Sequence, residues 1–141
     1  MNVQKISSKI ASWSLILVGI GHTLTDLTSP KTSVQQDFII KMKEFSINIL
    51  GSETNIFSFY QGFSLMMGLL LFSYGLLNLF ILKNNKTTPI PNNIMILNII
   101  VCSISLLLSI KYFFIVPILF TGIALLGFTI TFFSKAKIKN H

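Results

Sequence analysis

The chain has no arginine, one cysteine and one tryptophan, and its four acids stand against eleven basic residues, all lysine. Each shortage removes some chemistry. Without arginine there is no planar fork to hold a carboxylate or phosphate at two points. A lone cysteine, Cys102, excludes an intramolecular disulfide and a CxxC redox pair. Its position inside an apolar run reads as a small buried hydrophobe. Charged residues make up 11% of the sequence, well short of the roughly 25% of an ordinary soluble domain. The net charge of +7 raises the question of nucleic acid. The lysines form no dense patch, however, and gather at the ends of apolar runs, so no nucleic-acid partner is expected. GxSxG, HExxH, P-loop and dinucleotide patterns are all missing. No acid falls near the middle of an apolar run, which argues against proton-coupled transport.

What is present is hydrocarbon. Hydrophobic residues are 52% of the 141, and the mean hydropathy is +0.74. They collect into four segments, which predict helices over about 10–26, 57–82, 94–110 and 113–133. The expected fold is all-α: one domain spanning 1–141, a transmembrane up-down-up-down four-helix bundle. Lys5 and Lys9 before a short apolar core suggest a signal peptide, but no small-x-small cleavage pattern follows, and the first segment is expected to stay as a helix. Lys111 and Tyr112 read as an interfacial anchor between the third and fourth segments, and Pro117 as a residue that opens or kinks the fourth.

The lysines also predict orientation. A cytoplasmic N-terminus places Lys5, Lys9, Lys83, Lys86, Lys135, Lys137 and Lys139 inside, against Lys31, Lys41, Lys43 and Lys111 outside. That asymmetry favours a multi-pass membrane protein with both termini cytoplasmic. The connection 27–56 is then an extracytoplasmic loop, long enough to carry structure of its own. Within it "KEFSINIL" alternates Phe45, Ile47 and Ile49 with polar residues, the period of a strand. Gly51 ends the pattern, and Ser52, Thr54 or Asn55 can cap the next helix. The strand's partner lies in the loop, on the bundle or bilayer surface, or in another protomer.

Each apolar segment carries one stripe of small, weakly polar residues at helical spacing. The stripes run through Ser8, Ser12, Gly19, His22 and Asp26; Gln61, Ser64, Gly68, Gly75 and Asn78; Asn98, Cys102, Ser105 and Ser109; and Ala124, Gly127, Thr131 and Ser134. Small residues let helix backbones approach, and hydroxyls and amides bond across helices where lipid offers no partner. Gly19, Ser64, Gly68, Gly75, Asn78 and Asn98 are therefore expected to be packing residues, with Asn78 and Asn98 bonded to each other or to nearby backbone. The alternative use of these faces is to line a pore or a ligand site.

"GHTLTD" at the end of the first segment holds the sharpest candidate. His22 and Asp26 share a helix face at i,i+4, about 18 and 24 Å beyond Ile10 at 1.5 Å per residue. Ionisable groups at that depth face a bundle or a wet cavity. Gln61 and Tyr60 begin the second segment at the same level. His22, Asp26, Gln61 and Tyr60 thus form a candidate ligand-binding cluster in the outer leaflet, with Asp26 orienting His22. The same residues also read as an interhelical hydrogen-bond lock that fixes the first helix against the second. The sequence assigns no catalytic residue, metal ligand or cofactor.

"GHTLTD" together with "YQGFSLMMGLLLFSYGLLNL" resembles a family of small, uncharacterised bacterial membrane proteins with four helices. The layout alone is more distantly similar to DoxX-like proteins. The resemblance rests on Gly21, His22, Thr23, Thr25, Asp26, Gln61, Gly62, Met67 and Gly68. It implies an integral membrane protein and no particular activity. Three functional expectations follow: a binding or accessory module with an outer-leaflet pocket for a small amphiphile or lipid; a structural subunit or homo-oligomer that docks a membrane partner; and, third, a membrane oxidoreductase or hydrolase using His22.

Overall fold

The computed structural model describes residues 3–84 and 90–139, with side chains of the last helix given through Ser134. Lys86 and His141 lie outside the described residues, as do the side chains of Lys135, Lys137 and Lys139. The element order is α1 (Val3–Thr28), α2 (Ser33–Glu44), β1 (Ser46–Ile49), β2 (Ser52–Asn55), α3 (Ile56–Asn84), α4 (Asn92–Tyr112) and α5 (Ile115–Lys139). α1, α3, α4 and residues 115–134 of α5 are long and apolar enough to cross a membrane. They match the four expected segments, except that α1 starts seven residues earlier and α5 two residues later.

The connection between the first two long helices is more ordered than a loop. Thr32 accepts the Gln35 backbone N–H, while Gln35 Oε1 accepts the Thr32 N–H at 2.9 Å, a reciprocal cap that starts α2. Lys41 and Lys43 stand in its last turn, where cations offset the helix dipole. The strand-like stretch then pairs inside the loop: β1 lies antiparallel to β2, with Ile47 opposite Thr54. Leu50 and Gly51 join the strands with φ of 53° and 84°, the mirror-image turn that suits strand twist. Asn48 Oδ1 accepts the Gly51 N–H across this turn. Asn55 proves to be the cap of α3, its Oδ1 accepting from the Ser58 N–H at 2.9 Å. Pro117 sits in the first turn of α5, where its missing N–H has no partner to lose.

Packing follows the small-residue stripes. α1 lies along both α3 and α5, and α5 lies along α4. α1 and α3 are antiparallel in register, with Gly19 against Gly68 and Phe72, and Ile16 against Gly75. A Cβ on Gly19 would stand 2.6 Å from Phe72 N and 2.7 Å from Gly68 O, so the two backbones touch. Gly127 meets Ser7 and Ala11 in the same way on the α5 side. Ser8 and Thr131 share a hydrogen bond of 3.0 Å between α1 and α5.

α3 and α4 approach less closely and meet through side chains. Asn98 Nδ2 donates to Asn78 Oδ1 at 2.6 Å, Asn78 Nδ2 donates back at 3.3 Å, and the Tyr74 hydroxyl donates to Asn98 Oδ1. The expected pairing of the two asparagines is therefore present. Around it the core gathers Ala11, Leu15, Met95, Cys102, Ala124 and Phe128. Leu, Ile and Phe side chains on the other faces of the long helices are exposed.

The glycines give an internal control. Gly19→Ala forces backbone against backbone and is expected to destabilise the protein by about 1–3 kcal/mol. Gly21→Ala and Gly62→Ala meet nothing within 4 Å; helix propensity should make them neutral or stabilising by up to about 1 kcal/mol. Thermal unfolding of the three variants in one detergent compares them directly.

Candidate functional site

At the end of the assembly nearest the hairpin, α1 finishes, α3 begins, α4 finishes and α5 begins. A cavity of about 530 Å³ lies among them, within the size range of small-molecule sites. Its wall is largely apolar, drawn from Leu17, Val18, Met67, Leu71, Leu108, Phe113, Phe114, Val116 and Pro117. Polar groups on the wall are His22, Thr25, Asp26, Ser29, Lys31, Tyr60, Ser105, Ser109 and Thr121.

The α1 stripe is wholly buried from Ser8 to Gly19 and only half-buried at His22 and Asp26, where it reaches the cavity. On α4, Cys102 and Ser109 are buried and Ser105 between them is half-buried, with Ser105 and Ser109 both on the cavity wall. The α1 stripe thus packs tightly along most of its length and meets the cavity only at its end.

His22 does not bond Asp26. Its Nε2 lies 3.1 Å from Ser64 O and 3.0 Å from Ser64 Oγ, bridging α1 to α3. A protonated Nε2 donates to the Ser64 carbonyl, and an unprotonated one accepts from the Ser64 hydroxyl, so either tautomer bonds to Ser64. Thr23, beside it, donates to Gly19 O at 3.0 Å and fills the space over Gly68. The imidazole is thus held to α3 through Ser64. Asp26 is left by itself: Oδ2 is buried and accepts no hydrogen bond among the described residues. Its expected role of orienting His22 is not what the geometry shows.

Of the four candidate residues, the cavity brings together His22, Asp26 and Tyr60. Gln61 is half-buried and is not part of the wall; Ser64, one turn further along α3, takes the place expected of it beside His22. The packing residues Gly19, Gly68 and Gly75 lie at α1–α3 contacts, and Asn78 and Asn98 at the α3–α4 contact. Sequence reasoning passed over Lys31, Phe113, Phe114 and Thr121 as wall residues. Lys31 had one available signal, its position five residues past Asp26 across a proline turn.

Among the described residues no three of the His, Cys, Asp and Glu side chains group as a metal site would need. What the arrangement can do chemically is receive a molecule with an apolar body and a polar end. No family model, no curated protein and no solved structure matches the chain.

The His22–Ser64 bridge should behave as a coupled pair. His22→Ala and Ser64→Ala are each expected to destabilise by about 1 kcal/mol. The double variant should cost less than the two together, by about 0.5 kcal/mol or more. A four-variant unfolding cycle measures that term.

Proposed function

We propose that this chain is an integral membrane four-helix bundle, a binding or accessory module that holds a small amphiphile or lipid in the cavity beside His22 and Asp26. The observation that carries this reading is the cavity itself: apolar over most of its wall, with an unpartnered carboxylate oxygen at one side. The space is open on one side, where Leu17, Tyr60, Leu108, Phe114 and Val116 are exposed, so an apolar chain can enter it from the surrounding bilayer. Four helices long and apolar enough to cross a membrane support the setting, and so does the belt of exposed Leu, Ile and Phe.

The lysine asymmetry supports an up-down-up-down path in a bacterial inner membrane with both termini cytoplasmic. α2, the hairpin and the cavity then belong to the outer face. The likeness to the small bacterial four-helix family agrees with that setting. A structural subunit or homo-oligomer is the second reading, favoured by apolar side chains on α2 and the hairpin that face away from the bundle. Val34, Phe38, Phe45 and Leu50 are all exposed, Leu50 completely. A membrane oxidoreductase or hydrolase finds less support, because His22 Nε2 is already engaged by Ser64.

Two measurements test this. Ser105→Phe places a ring in the cavity from α4. Native mass spectrometry of gently purified protein is expected to show a bound amphiphile in the wild type and its loss in this variant; bare protein in both would remove the binding reading. For orientation, a cysteine placed at Ser33 of a Cys102→Ala background should react with a membrane-impermeant maleimide in intact cells. One placed at Asn84 should react only after lysis.

A further inference from the structure

The polar end of the proposed amphiphile can be specified further, an inference that rests on the cavity reading above. Asp26 Oδ2 is buried at the cavity and accepts nothing among the described residues. A carboxylate is an acceptor only, and a buried one left without a donor is costly. A ligand group that takes the place of water there must donate a hydrogen bond, and a positive charge on it makes that bond markedly stronger. Lys31 shares the wall, but Oδ2 takes no hydrogen bond from it. Lys31 is exposed, and its ammonium, a donor only, can take an anion at the cavity mouth.

A purely anionic amphiphile would answer Lys31 and repel Asp26. A purely cationic one would do the reverse. We infer that the cavity holds a zwitterionic amphiphile, with a primary ammonium on Asp26 and a phosphate on Lys31, its chain lying along the apolar wall at Leu17, Leu71 and Phe113. A quaternary ammonium does not meet the need, since it carries the charge without an N–H to give to Oδ2. A glycerol head group donates hydroxyls but brings no cation.

The test uses the full chain, delipidated in detergent and titrated by native mass spectrometry with three lipids of identical acyl chains. Phosphatidylethanolamine should bind at least about tenfold more tightly than phosphatidylcholine or phosphatidylglycerol. Asp26→Asn should abolish that preference, whereas Lys31→Gln should weaken all three lipids and leave the ethanolamine-over-choline ratio in place. Equal binding of ethanolamine and choline lipids by the wild type, or a preference that survives Asp26→Asn, overturns the assignment. If Asp26→Asn does not purify, the wild-type ratio decides alone. Ser105→Phe separates the two levels. Binding that is indifferent to the head group but lost in Ser105→Phe sinks the zwitterion and keeps the cavity; binding unaffected by Ser105→Phe sinks both.

Discussion

Direct contact between the backbones of α1 and α3 is the constraint from which most of this arrangement descends. Gly19, Gly68 and Gly75 bring the two helices so close that a single added carbon would collide with main-chain atoms. α1 is held equally near to α5 through Gly127 and Ala11. A helix drawn tightly against two neighbours becomes the seam of the assembly. The remaining pair, α3 and α4, is then spanned by longer side chains, the amides of Asn78 and Asn98 with Tyr74. Beyond that polar bridge, towards the hairpin, His22, Met67, Leu71 and Phe113 border open space. The cavity is what remains where close packing stops.

The register set by that contact also explains the partner of His22. Gly19 faces Gly68 on an antiparallel helix. Moving three residues forward on α1 to His22 corresponds to about one turn back on α3, which arrives at Ser64. The information was in the sequence, because both glycines and both stripes were visible there. Choosing between Gln61 and Ser64 required knowing which glycine opposes which, and spacing alone does not supply that. Size patterns were legible for a simple physical reason: close helix approach demands small side chains at helical intervals, and nothing else in an apolar helix requires them.

The connection between α1 and α3 was harder to read. Its Thr32–Gln35 cap is a recognisable helix start, and Val34, Phe38, Ile39 and Met42 follow with helical spacing, yet α2 ends directly against the alternating stretch that forms β1. Two periodicities meet within a few residues, and the strand's period of two masks the helix before it. The hairpin was obscured by its turn. Leu50 occupies a left-handed position that usually goes to asparagine or glycine, at a cost of roughly 1–2 kcal/mol for an ordinary side chain, so the usual Asn-Gly signal is absent.

The isolation of Asp26 has a chemical reason that sets it apart from the other polar residues of the helices. Ser12, Ser14, Thr23, Thr28, Thr121 and Thr131 each donate a hydroxyl proton to the carbonyl one turn back in their own helix. That device makes a hydroxyl self-sufficient in an apolar setting. Asn78 and Asn98 carry both donors and acceptors and can satisfy one another. An ionised carboxylate has no proton to offer a carbonyl and cannot use either route, so in a helix it depends on a donor from elsewhere. The described residues give Oδ2 none. Its donor is water or a group on the cavity side, and on the proposed reading this dependence makes Asp26, rather than the well-anchored His22, the residue through which a bound molecule is recognised.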